Sequence, residues 1–198
     1  MMQLPTDLPP ELVPLSWLIG VWEGTGVVSY RLGDETRNHE FGQRVSFSHE
    51  GLPFLNYNSY TWLLDDEPRP LVSETGYWRL SRPATDADHG PGMLPGAGGA
   101  AFTSAEDVER LRLPEGGFEI EVSILHPDGV SELYLGRIAN ARIDLATDVV
   151  MRSANAKEYS AATRLYGLVD GDLLWAWDIA ALGQDLRTHA SAKLGRVD

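Results

Sequence analysis

The chain has 198 residues, 43% of them hydrophobic, with no cysteine and a formal net charge of −13 at pH 7. Its length and apolar content suit a single domain, residues 1–198, with a sizeable core. The acidic balance argues against nucleic-acid or anionic-membrane partners, and the lack of cysteine excludes disulfides, a thiolate nucleophile and thiolate ligation of metal or haem.

Met1 to Pro10 lacks the basic segment and apolar run of a signal peptide, and no later run approaches the length of a membrane span, so a cytoplasmic protein is expected. Pro9-Pro10-Glu11-Leu12 reads as a helix start, and Leu12, Leu15 and Leu18 form a short apolar stripe suited to a lid on a barrel. Next comes Gly20-Val-Trp22-Glu-Gly24-Thr-Gly26. Alternation puts three glycines and Trp22 on one strand face, which implies a bend or a close backbone approach, with Trp22 plugging the base of a barrel. The missing side chains are expected to leave space inside.

Tyr30 to Glu40 is charged and reads as a loop. Arg44 to His49 alternates as a strand, with His49 beside Val45 and Phe47. Phe54 to Leu64 and Leu71 to Leu80 follow as strands. From about residue 82 to 117 the density of Gly and Pro predicts a long mobile loop insertion, with one helical turn near Ser104 to Leu111. It reads as a hairpin insertion, with a lid as the alternative. Phe118 to Ile124, Val130 to Ile138, Arg142 to Met151, Glu158 to Leu168, Leu173 to Ala180 and Leu186 to Val197 then read as strands. The result is an all-β fold: a roughly ten-stranded antiparallel up-and-down β-barrel with a short N-terminal helical cap.

No hydrolase triad, phosphate loop or paired-His metal motif is present, so the five histidines are the main chemical candidates. His39 and His89 sit in polar stretches and read as solvated, and His126 begins a tight turn. His49 reads as either a core or a cavity-lining group. His189 lies near the C-terminus, where simple alternation places it with Arg187, Ser191 and Lys193, opposite the apolar face of Ala190, Ala192 and Leu194.

Five motifs together resemble the nitrobindin family: Gly20 to Gly26, Phe47 to Tyr57, Glu74-Thr-Gly76-Tyr-Trp78-Arg79, Asn155-Ala-Lys157-Glu158 and His189-Ala-Ser-Ala192-Lys-Leu194. They occur in family order from about Leu15 to Val197. The resemblance implies a ten-stranded barrel related in shape to fatty-acid-binding proteins. It also implies one ferric haem b at the barrel mouth, with His189 as iron ligand and catalytic centre and Lys157 as a further haem contact. The implied activity is isomerisation of peroxynitrite to nitrate together with nitric oxide binding, and a homodimer is compatible with it. Two departures stand out: the stretch from Tyr30 to Phe41 replaces a shorter loop, and Ile179 stands where a Met is common. Arg187 and Lys193, on the face of His189, could form a positive collar for haem propionates; solvated surface residues are the plainer alternative. A barrel shape alone would equally suit a haem-free carrier of a small lipophilic ligand, or a ligandless interaction module.

Overall fold

The computed structural model describes residues 8–32, 35–181 and 185–197. Met1–Asp7, on which the N-terminal reading largely rests, lie outside the described residues. Pro10–Leu18 forms a 3₁₀ helix whose three-residue turn stacks Leu12, Leu15 and Leu18 on one side, and all three are fully buried. Ten strands follow: β1 Gly20–Leu32, β2 Glu35–Ser48, β3 Leu55–Leu63, β4 Arg69–Leu80, β5 Phe118–Leu125, β6 Val130–Ala139, β7 Arg142–Arg152, β8 Tyr159–Val169, β9 Asp172–Ala181 and β10 Arg187–Val197. Each pairs antiparallel with its chain neighbour, and β1 pairs with β10 to close the barrel. No helix among the described residues is long and apolar enough to cross a membrane.

The 3₁₀ helix closes the end of the barrel at which β1 begins. Trp22 is 1% exposed there and donates its indole N–H to the Leu18 carbonyl at 2.7 Å. Gly24 and Gly26 serve close approach rather than open space. A Cβ on Gly24 would lie 2.2 Å from the Lys193 carbonyl, and one on Gly26 would lie 2.3 Å from the Ser191 carbonyl. The expectation that these glycines leave room inside is therefore corrected, because the neighbouring strand β10 fills it.

The charged stretch from Tyr30 to Glu40 is not a loop but the outer part of a long hairpin. Tyr30 pairs with Arg37 and Leu32 with Glu35, while Gly33 and Asp34 lie outside the described residues. Most of the side chains from 35 to 40 meet solvent, which explains why the segment lacks a buried strand's alternation.

The connection from β4 to β5 lies at the closed end, away from the mouth. It carries α1, Ala105–Val108, followed by a 3₁₀ turn at Glu109–Leu111, where a helical turn was expected. Ser104 caps α1 by accepting the Asp107 N–H at 3.1 Å, and Val108 is 1% exposed in the main core. Arg82 ties this segment to the 3₁₀ cap through Asp88 at 2.7 Å and Glu11 at 3.4 Å.

Candidate haem site

Strand β10 reaches the mouth with an irregularity. Thr188 pairs with Asp178 and Ala190 with Trp177, so His189 is an extra residue with no partner on β9. Such a bulge breaks the two-residue period and re-aims a side chain. Here both His189 and Ala190 line the mouth cavity, so the outward orientation expected from simple alternation is corrected.

The cavity measures about 430 Å³, within the usual range for cofactor pockets. Val28, Phe41 and Leu63 give it apolar wall; Glu74, His126 and Arg164 give it a charged floor. The His189 ring meets the Trp177 indole edge to face, with centroids 5.4 Å apart and planes at 83°. Burial lowers the imidazole's affinity for a proton, and Arg187 and Arg164 push the same way, outweighing the Ser29 backbone, which favours the protonated form. The shift favours the neutral imidazole, the form in which histidine binds a metal.

Beneath Trp177 the barrel holds a polar cluster. Arg164 makes two hydrogen bonds to Glu74, Nη1 to Oε2 at 2.9 Å and Nη2 to Oε1 at 2.8 Å. His126 Nε2 lies 2.6 Å from Glu132 Oε2, and its Nδ1 lies 3.7 Å from Glu74 Oε1. Glu132 also accepts from the Tyr134 hydroxyl at 2.6 Å and from the Tyr159 hydroxyl. Burial alone would raise the Glu74 carboxyl, but the charge and hydrogen bonds of Arg164 outweigh it and hold the group at about 2. Burial likewise opposes charge on His126, yet its bond to Glu132 and the two carboxylate charges raise its affinity for a proton.

The remaining sequence candidates fall in different places. Lys157 is exposed in the turn between β7 and β8, at the mouth end but not among the cavity-lining residues; its carbonyl accepts from Arg152 at 3.1 Å. His49 lies at the closed end, where its Nδ1 accepts the Gly51 N–H at 3.2 Å, so it does not line this cavity. His39, expected to be solvated, instead lines the cavity and packs against Tyr30, its Nε2 3.2 Å from the hydroxyl. His89 is exposed. Lys193 is turned outward and bonded to Asp172 at 2.8 Å, which rules out its half of the expected positive collar. His126, Glu74, Glu132 and Arg164 were missed as site residues. The available signal was parity, since Glu132 shares a strand face with Val130 and Tyr134, and Arg164 shares one with Ala162 and Tyr166.

Among the described residues no group of three or more His, Cys, Asp or Glu is placed to hold a bare metal ion. The His189 imidazole at an open, partly apolar cavity instead fits haem, whose macrocycle supplies the other iron ligands. A family model described as "THAP4-like, heme-binding beta-barrel domain" matches residues 11–196. A curated peroxynitrite isomerase from Leifsonia xyli subsp. xyli (strain CTCB07) is 64% identical over 198 residues, covering 100% of each chain. Another, from Clavibacter michiganensis subsp. michiganensis (strain NCPPB 382), is 64% identical over 199 residues with the same coverage. The solved structure titled "Crystal Structure of Rv2717c from M. tuberculosis" superposes with a TM-score of 0.69 at 28% identity, covering 97% of this chain and 100% of that one.

Proposed function

The chain belongs to the family of the THAP4-like, heme-binding beta-barrel domain, the nitrobindin family that its motifs resemble, and from that premise we propose a haem-dependent peroxynitrite isomerase. Its iron ligand is His189, its cofactor ferric haem b, and nitric oxide a second ligand of the same iron. The observation that carries this reading is the bulge that turns His189 into the cavity, where its imidazole packs edge-on against Trp177. A carrier of lipophilic molecules has no use for that arrangement.

A haem held there by His189 would supply Lewis-acidic iron, the chemistry that weakens the O–O bond of peroxynitrite on its way to nitrate. The protein's share is orientation and shielding. Trp177 packs against the side of the imidazole, and Val28, Phe41 and Leu63 keep water from one wall. Lys157, on the rim turn, has a flexible four-carbon stem with which to reach a haem propionate. The net charge of −13 supports a small-molecule partner rather than nucleic acid, and a cytoplasmic protein that is compatible with a homodimer completes the reading.

The test is to mix peroxynitrite with the ferric-haem-loaded protein by stopped flow and measure both decay rate and nitrate yield. Catalysed decay with a raised nitrate yield is expected. Decay at the rate of buffer would overturn the assignment.

A further inference from the structure

The side chain that packs against His189 is not held by a hydrogen bond of its own. The Trp177 indole N–H is buried without a partner among the described residues. The orientation of its ring therefore depends on what lies against it. The Arg164 guanidinium carbon sits 4.2 Å from the ring centroid. His126 lies nearly parallel at 6.1 Å and 13°, and Tyr159 meets the ring at 62°.

Arg164 and His126 are themselves immobilised. With Glu74 and Glu132 they form a closed ring of four charged groups. Arg164 bridges to Glu74 at 2.8 Å, Glu74 faces His126 at 3.7 Å, His126 bonds Glu132 at 2.6 Å, and Glu132 lies 3.6 Å from Arg164. Their side chains are between 0% and 9% exposed. Burying four such groups gains little stability over apolar packing of the same volume. A two-pronged guanidinium–carboxylate pair does, however, fix direction as well as distance.

Resting on the reading of His189 as haem ligand, we propose that the Glu74–Arg164–His126–Glu132 ring is a positioning device: it clamps Trp177, and Trp177 sets the orientation of the His189 imidazole. The four act through the indole, not on the iron. The flat guanidinium is the critical part, because a lysine at 164 would keep the positive charge but not the plate that lies over Trp177.

Arg164→Lys, Trp177→Leu, the double variant and wild type are loaded with ferric haem, and transfer of haem to excess apomyoglobin is timed. Absorption spectra and the melting temperature of each haem-free form are recorded alongside. Each single variant is expected to release haem about tenfold faster or more, as for other groups that orient a metal ligand, with an altered ferric spectrum. The double variant should release it no faster than Trp177→Leu alone, because Arg164 acts through the indole. Multiplying effects in the double variant, or lowered melting temperatures with unchanged release and spectra, would overturn the clamp. Should Arg164→Lys fail to fold, His126→Gln takes its place in the same cycle, with the same outcomes decisive. Wild type that takes up no haem would sink the proposed function and the clamp together, whereas haem bound through His189 and released equally by every variant would sink the clamp alone.

Discussion

His126 and His189 pack against the same indole, Trp177, the first nearly parallel to it at 6.1 Å and the second edge-on at 5.4 Å. Their proton affinities are driven in opposite directions. Burial lowers that of His189, while on His126 the bond to Glu132 and the nearby carboxylates outweigh burial and raise it. The stability that His126 contributes is thus present below its ordinary value of 6.5 and is lost as pH rises through its folded value. The contribution of His189 is present above 6.5 and is lost as pH falls through its folded value. Urea unfolding of the haem-free protein from about pH 5 to pH 8 should show His126→Gln losing the alkaline-side decline and His189→Ala losing the acid-side one. The reverse pattern would show the two protonation states to be misassigned.

Glu74 gives a separate acid limit. Its carboxyl is held at about 2 although burial pushes it up, so its contribution is complete above 4.5 and lost as pH falls from there toward 2. Arg164→Met strands that buried carboxylate without its partner. Denaturant unfolding at pH 7 is expected to register a loss of ~3–5 kcal/mol, and a change below 1 kcal/mol (~0.5, the scatter of a surface substitution) would contradict the buried pair.

At the β1–β10 seam, Gly24→Ala and Gly26→Ala should each cost at least the ~1–3 kcal/mol of an overpacked core, since the added carbon would meet β10 backbone at both positions and, at Gly26, also the Phe41 ring and the Ala192 methyl. Gly99→Ala is the control. No described atom lies within 4 Å of its added carbon, so its melting temperature should match wild type. Equal melting of all three variants would mean that the two strands are not so close.

Trp22 and His189 lie toward opposite ends of the barrel and should separate cleanly on mutation. Trp22→Ala should lose ~3–5 kcal/mol of stability while the haem spectrum of the folded fraction stays that of wild type. A shifted spectrum would mean that the closed end and the haem site are not independent.

The barrel was legible because most of its strands bury one face and expose the other. Phe118, Ile120, Val122 and Ile124 alternate with polar residues as a half-buried strand requires, and all four are buried. The outer part of the β1–β2 hairpin was not legible, because its pairing is made by backbone while most of its side chains stay in water. His189 was singled out by its motif, yet residue alternation pointed it away from the cavity that it lines. A bulge is a property of pairing with β9, and the sequence of β10 alone does not carry it. The ring around Arg164 was also hidden, since Glu74 and Arg164 are 90 residues apart and meet only when the barrel closes.

Haem binding through His189 is tested most directly by a haem titration followed by absorption. Wild type should take up one equivalent of ferric haem with the Soret band of a histidine-ligated iron. His189→Ala, still folded because His189 lies at the mouth and outside the apolar core, should lose that band. An unchanged band in His189→Ala would contradict the assignment and move the ligand to His39 or His126, the other histidines lining the cavity.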